Sequence, residues 1–244
     1  MGTAAKPQVR TLRPYQREAI DALAEAFEKW QRLVLCLPTG TGKTFTAAMF
    51  IYEHVIKQGK RAMWVAHSRE LLDQACETFL SLGMDESDVG RRYAHHKSDP
   101  RDKPDAKLWV INNLIRNPPC EAVDCIIFDE AHHCDGSTYK KWMYTYGAGE
   151  EDGPKVLGLT ATPYRRHAGE ILPLTSDAFN FCTKPRIPIF QVIAFERSFA
   201  QLAAEGYLAP FKHISIDTHM EFDLDWDERL KDFRINSLGQ LDTP

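Results

Sequence analysis

Long apolar runs are the first thing this sequence lacks. No stretch approaches the roughly 20 consecutive apolar residues that a membrane helix needs, so a transmembrane protein is not expected. Met1 to Arg10 has no apolar core of the secretory kind, and Lys6 occupies the position where an N-myristoylation pattern needs Ser or Thr. Cysteine is sparse: six residues at positions 36, 76, 120, 125, 134 and 182, with no CxxC pair. That scatter excludes a disulfide scaffold and a zinc ribbon. Several of these cysteines lie inside apolar runs, which predicts buried free thiols in a reducing, cytoplasmic compartment. A strong charge of one sign is also missing. The formal net charge is −4, and eight of the 34 acidic residues fall between Ile214 and the C-terminus, against three basic ones. The body before that tail is close to neutral, so only a local patch could hold a phosphate backbone. No internal repeat is visible.

What is present suits one large α/β domain or two small ones: 244 residues, 43% of them hydrophobic. The chain is organised around Leu37-Pro38-Thr39-Gly40-Thr41-Gly42-Lys43-Thr44. An apolar run, Leu33 to Leu37, leads in, and an amphipathic run with Ala48, Ile51, Tyr52 and Val55 follows. Strand, glycine-rich turn and helix in that order form the setting of a phosphate-binding loop. The glycines let backbone N–H groups approach phosphate oxygens, and the helix start adds partial positive charge. Lys43 can reach terminal phosphates and the Thr44 hydroxyl can sit on Mg²⁺. Position 37 is Leu where the strict pattern has Gly.

Periodicity organises the remainder. Pro14 suits the first turn of a helix whose Ile20, Leu23, Ala24 and Phe27 form one stripe. Ala62–Ala66 predicts a second strand, then a helix capped by Ser68 that buries Leu72, Ala75, Cys76 and Phe79. A weak strand near Val89–Ala94 and short runs at Leu108–Ile111, Cys125–Phe128 and Val156–Leu159 follow. Short runs without alternation, spaced by helices, predict a mostly parallel sheet covered on both faces. Trp64 and Trp109 lie within these strands and read as core. Prolines 173, 185 and 188 make Leu172–Phe190 read as irregular, with a short helix around Phe199–Ala203 and a last strand over Pro210–Asp217.

The second chemical landmark is Ile126-Ile127-Phe128-Asp129-Glu130-Ala131-His132. A carboxylate ending an apolar strand beside a phosphate-loop strand is placed to hold a nucleotide's Mg²⁺, and Glu130 to orient or deprotonate water. Asp-Glu after a strand is common; 85 residues beyond a phosphate loop it acquires meaning.

With these two motifs the chain resembles the first RecA-like lobe of a superfamily 2 helicase or translocase of the DEAH-box type. Pro38-Thr39-Gly40-Thr41-Gly42-Lys43-Thr44 matches motif I of that family, where an apolar residue at position 37 is usual, and Asp129-Glu130-Ala131-His132 matches motif II. Leu159-Thr160-Ala161-Thr162-Pro163-Tyr164-Arg165 resembles motif III, which links the nucleotide site to the nucleic-acid track. Val65 to Leu72 resembles motif Ia, which lies on the strand backbone, and Arg13-Pro14-Tyr15-Gln16 the glutamine motif that reads adenine. Gly206-Tyr207-Leu208 is similar to an ending in bacterial DNA-acting members. The likeness covers Thr11 to Asp217. Where motif Ib usually carries Thr or Gln, Asn112-Asn113 stands here, and nothing after motif III resembles Gln-x-x-Gly-Arg-x-x-Arg, the source of the family's arginine finger.

The resemblance implies a RecA-like lobe over residues 1–217, with 218–244 an acidic tail or the start of a linker to an absent second lobe. It implies ATP and Mg²⁺ as cofactors, nucleic acid (DNA before RNA) and a second RecA-like lobe as partners, and no membrane. Thr39, Gly40, Thr41, Gly42 and Lys43 would cradle phosphates, with Thr44 and Asp129 on Mg²⁺ and Glu130 as base. Lys43 and Asp129 would also take part in catalysis. His132, Thr160 and Thr162 would couple that site to the strand, and Arg69, Asn112 and Asn113 would touch it. Gln16 alone reads as a surface glutamine; with a phosphate loop 24 residues later it reads as an adenine N6/N7 contact, with Arg13 stacking near the base. His132-His133-Cys134 lacks a second pair at zinc spacing, and His95-His96 reads as solvated. Lys140, Lys141, Trp142 and Tyr144 fit one amphipathic helix better than a single-strand track. A non-hydrolysing nucleotide or nucleic-acid module, and a small-molecule kinase, are the other classes considered. The kinase reading leaves Thr160-Ala161-Thr162 unexplained.

Overall fold

The computed structural model describes residues 11–92, 107–112, 122–133, 143, 145–148, 150, 152–167, 170–173, 175, 189–210, 226–227 and 232–233. Helix α1 spans Pro14–Lys29, starts on its proline, and is followed by strand β1, Arg32–Cys36. Helix α2 (Lys43–His54), strand β2 (Ala62–Ala66) and helix α3 (Arg69–Ser81) follow. Strands β3 (Val89–Arg92), β4 (Leu108–Asn112), β5 (Cys125–Phe128) and β6 (Lys155–Thr160) complete the central run. Strands β7 (Tyr164–His167) and β8 (Glu170–Pro173) form an antiparallel hairpin, before β9 (Val192–Glu196) and helix α4 (Phe199–Ala204). Two-residue strands β10 (Trp226–Asp227) and β11 (Asp232–Phe233) pair antiparallel within the acidic tail.

Seven strands form one sheet in the order β3-β4-β2-β5-β6-β1-β9, every pairing parallel. The expected parallel α/β architecture is therefore present. Side chains alternate between two buried clusters, as a sheet covered on both faces requires. Leu33 and Leu35 of β1 and Trp64 of β2 join Tyr15, Ala47, Leu72 and Leu202 from the helices. Val34 and Val65 face the opposite way, with Trp109, Ala131, Met143 and Phe190. A side chain at Gly158 would meet Phe190 at 2.5 Å and Ala131 Cβ at 2.9 Å, so this glycine lets the turn after β5 lie against β6.

The helix caps follow the sequence closely. Ser68 Oγ accepts from Leu71 N at 3.4 Å, and the Ser198–Gln201 pair closes a reciprocal capping box on α4. Cys36, Cys76 and Cys125 are buried and form no disulfide among the described residues, and Trp64 and Trp109 are buried. Two elements depart from expectation. Strand β9 arises where no strand was predicted: Val192-Ile193-Ala194-Phe195 is an apolar run that the sequence reading passed over, and as an edge strand it is only half-buried. Hairpin β7–β8 runs into the stretch read as irregular; Pro173 is tolerated at the end of a two-stranded ribbon. The strand expected over Pro210–Asp217 lies, beyond Pro210, outside the described residues. Residues 95, 96, 140, 141, 142 and 144 lie outside them too.

Candidate functional site

Because the sheet is wholly parallel, the carboxyl ends of β1, β5 and β6 lie side by side, and the three principal motifs begin there. Leu37 N donates to Thr160 O at 3.0 Å, fastening the start of the loop to β6. Gly40 and Gly42 both take φ of +81°, a conformation that L side chains resist. The tip, Thr39, Gly40 and Gly42, is exposed, whereas Thr41, Lys43 and Thr44 are buried. Thr41 Oγ1 donates to Pro38 O at 2.6 Å and tightens the turn. Helix α2 begins at Lys43 behind Gly42 with no side-chain cap, leaving its first turn able to receive an anion.

The loop is also held from behind. Tyr15 Oη and Gln16 Nε2 both donate to Thr41 O, at 2.5 and 3.1 Å. A trans peptide is planar, so holding this carbonyl on one side aims the Gly42 N–H to the other. Gln16 Oε1 accepts from Arg13 N at 2.9 Å, and a side chain at Gly42 would meet Gln16 Nε2 at 2.8 Å. Gln16 is thus buried and engaged with the loop at its back. The exposed Arg13 guanidinium lies 5.8 Å from the Tyr207 ring centroid and 3.4 Å from Tyr15 Oη. Sequence reading named Tyr15 only as part of a motif and missed its hydroxyl as a loop support. The available signal was an aromatic residue beside Gln16 in the first turn of a buried helix.

Opposite the loop, Asp129 directly follows β5 and is 1% exposed. Its Oδ1 accepts from Glu130 N at 3.0 Å, while Oδ2 is buried with no hydrogen-bond partner among the described residues. Burial raises this carboxyl to about 6, and the Glu130 charge adds to the rise. Lys43, the Glu130 N–H and the Trp64 indole pull the other way, although Trp64 Nε1 itself has no partner in hydrogen-bond geometry. A buried carboxylate oxygen without a donor, beside a lysine and a phosphate-type loop, fits a hard cation held with Thr44 and phosphate oxygens. Among the described residues no group of three His, Cys, Asp or Glu could hold a metal by itself.

Glu130 adopts φ +52°, the only non-glycine residue with positive φ among those described. Such strain persists where surroundings impose it. Here the turn directs Glu130 Oε1 to Lys43 Nζ at 3.4 Å and Oε2 to His132 Nδ1 at 3.3 Å. His132 Nδ1 also lies 3.2 Å from Thr160 Oγ1. Thr160 Oγ1 donates its one proton to Thr162 O at 2.8 Å and accepts from Thr162 N at 3.0 Å. It can therefore only accept from His132, which assigns the proton to Nδ1. A continuous polar path thus joins Lys43, Glu130, His132, Thr160 and Thr162.

Arg69 is outside this cluster. It is exposed at the start of α3 and pairs with Asp73 at 3.3 Å. Asn112 stands opposite Ala66 in the β2–β4 register, so motif Ia and Asn112 share the carboxyl edge of neighbouring strands. Asn113 lies outside the described residues. Cys36, just before the loop, has its thiol pushed up to about 12, chiefly by burial and then by Glu196, and stays protonated.

The chain matches the family described as "Type III restriction enzyme, res subunit" over residues 10–165. It is 32% identical over 163 residues to the putative mitochondrial ATP-dependent helicase irc3 of Schizosaccharomyces pombe, covering 63% of this chain and 26% of that protein. It is 26% identical to the putative ATP-dependent helicase IRC3 of Saccharomyces cerevisiae over 94% of this chain and 32% of that protein. The chain thus spans about a third or less of these relatives. Among solved structures, the type ISP restriction-modification enzyme LlaBIII bound to DNA aligns with 82% of this chain and 16% of its own, at TM-score 0.57 and 18% identity. The UvsW helicase of bacteriophage T4 aligns with 76% of this chain and 60% of its own, at TM-score 0.53 and 17% identity. These structural likenesses support the fold. The family match, with the motifs and their geometry, leads to one conclusion: the chain belongs to the type III restriction enzyme res-subunit family and is a first RecA-like lobe of the superfamily 2 helicase kind.

Proposed function

We propose that this lobe binds ATP with Mg²⁺ at the carboxyl ends of β1 and β5. Working with a second RecA-like lobe, it would use hydrolysis to move along or remodel nucleic acid, DNA rather than RNA. In this reading residues 1–217 form the lobe, 218–244 lead toward its partner, and the motor is of the DEAH type. The observation that carries the reading is the buried, unpartnered Asp129 Oδ2 in a site that also holds Lys43 and Glu130. The metal ion, held by Thr44 and Asp129, would supply positive charge to the phosphate oxygens. The loop N–H groups would bind phosphate, Lys43 would leave Glu130 for the terminal phosphates, and the released Glu130 carboxylate would orient water. His132 and Thr160 would relay that change to Thr162 and the hairpin beyond it. Arg69 and Asn112-Asn113 would meet the strand backbone. DNA is favoured because a solved relative in fold is described as bound to DNA. The buried free thiols support a reducing compartment, which we take as cytoplasmic. No helix among the described residues is long and apolar enough to cross a membrane.

The test separates binding from chemistry. Glu130→Gln keeps shape and loses the basic carboxylate, so Mg²⁺–ATP should still bind while turnover by the two-lobe enzyme falls by about 10²-fold or more. Loss of ATP binding instead would make Glu130 a ligand and not a base.

A further inference from the structure

Gly206-Tyr207-Leu208 stands apart from every motif given a role above, yet its ring lies against the phosphate-loop support. Gly206 turns the chain at φ +79°, and the amides of Tyr207 and Leu208 both donate to Leu202 O, at 2.8 and 3.2 Å. This closes the end of α4 and fixes where the Tyr207 ring emerges. The ring meets Tyr15 edge-on, with centroids 4.9 Å apart and planes at 63°. Tyr15 in turn donates its hydroxyl to Thr41 O, the carbonyl whose orientation aims the Gly42 N–H. The exposed Arg13 guanidinium covers the Tyr207 ring at 5.8 Å. Among the described residues, the polar and aromatic contacts of the Tyr207 side chain are made by its ring.

Resting on the nucleotide reading, we infer that Tyr207 is a positioning residue of the phosphate loop. Its ring walls in Tyr15 so that the Tyr15 hydroxyl stays on Thr41 O, and the loop's N–H groups remain set to receive phosphate. The segment that leaves α4 is thereby tied to nucleotide affinity without touching nucleotide. An edge-on aromatic pair and one hydrogen bond have a modest, measurable effect, about two- to tenfold in a binding constant.

The experiment titrates a fluorescent ADP analogue with Mg²⁺, and inorganic triphosphate by competition, into the 244-residue chain and its variants. Tyr207→Leu should weaken both ligands about threefold or more; Tyr207→Phe should stay within about twofold. Triphosphate has no base, so its loss locates the effect at the loop. In a Tyr15→Phe background, where the hydroxyl is already gone, Tyr207→Leu should add little. Unchanged affinity in Tyr207→Leu, or full additivity with Tyr15→Phe, overturns the inference. Loss for ADP with triphosphate unaffected also overturns it, since Tyr207 would then serve the base through Arg13. Should the Leu variant not fold, Tyr207→Met provides the same comparison. A wild-type chain that binds neither ligand refutes the nucleotide reading itself; binding that ignores Tyr207 refutes only this step.

Discussion

The two ends of the central sheet each hold a lysine, half-buried at one end and buried at the other, and they treat it oppositely. At the amino end, Lys155 begins β6 and donates to Phe27 O at 2.7 Å, in the last turn of α1, and to Trp30 O at 3.4 Å, just past its end. Burial lowers its pKa, yet the helix end supplies acceptors suited to a cation. At the carboxyl end, Lys43 has a single long pair with Glu130, Asp129 keeps an unpartnered buried oxygen, and Glu130 sits at positive φ. The amino-end lysine meets carbonyl acceptors, whereas the carboxyl-end lysine faces a carboxylate site with an unpartnered oxygen. Unmet polar demand within a well-packed fold marks the place where a ligand completes the structure.

The largest test of this contrast concerns hydrolysis. The carboxyl end holds a candidate loop, metal carboxylate and base, but no sequence after motif III supplies an arginine finger, a group typically contributing about 10³–10⁵ in rate. On the proposed two-lobe reading, a site not closed by a second lobe also stays wet, which weakens its charge interactions. The 244 residues alone should bind ATP and hydrolyse it barely above background, with little stimulation by single-stranded DNA. Turnover of the order of several per second from the monomeric fraction in a steady-state assay would contradict this.

Next in size is the stability hidden in Asp129. Its carboxyl is raised from 3.8 to about 6 in the folded chain. The folded state therefore holds the proton more tightly than the unfolded one. That contribution is complete below about pH 4 and is lost as pH rises through about 6, some 2–3 kcal/mol in all. Asp129→Asn should thus stabilise the nucleotide-free chain by about 1–3 kcal/mol at pH 8, and hardly at all near pH 4. Urea unfolding at both values decides it. An equal effect at the two would mean that the carboxylate is not strained by burial.

Much of this organisation is legible in the letters. Strands β1, β2, β5 and β6 are short apolar runs buried on both faces, and the motif spacings place Lys43, Asp129 and Thr160 at their ends. The rest depends on tertiary contact. β9 was legible as the apolar run Val192-Ile193-Ala194-Phe195 and was missed; what tertiary contact adds is its place at the sheet edge beside β1. The convergence of Tyr15 and Gln16 on Thr41 O joins positions 26 and 25 residues apart, which periodicity cannot report. The left-handed turn at Glu130 carries no glycine to announce it.

Smallest of the expected effects is the one at Arg69, exposed and paired with Asp73 on α3. If it meets a phosphate, Arg69→Ala should weaken DNA binding a few-fold and flatten the log–log salt slope by about one. A slope identical to wild type would remove Arg69 from the strand contacts.

The two lysines provide the most direct measurement. A fluorescent ATP analogue with Mg²⁺ is titrated into the wild-type chain, Lys43→Ala and Lys155→Ala, with urea unfolding of each. Lys43→Ala should lose about ten- to hundredfold in affinity, the value of a charge-assisted contact to phosphate, while folding normally. Lys155→Ala should lose about 1–2 kcal/mol of stability and bind the analogue as wild type does. Equal affinity in all three proteins, or a loss confined to Lys155→Ala, would mean that the unsatisfied end of the sheet is not where nucleotide binds.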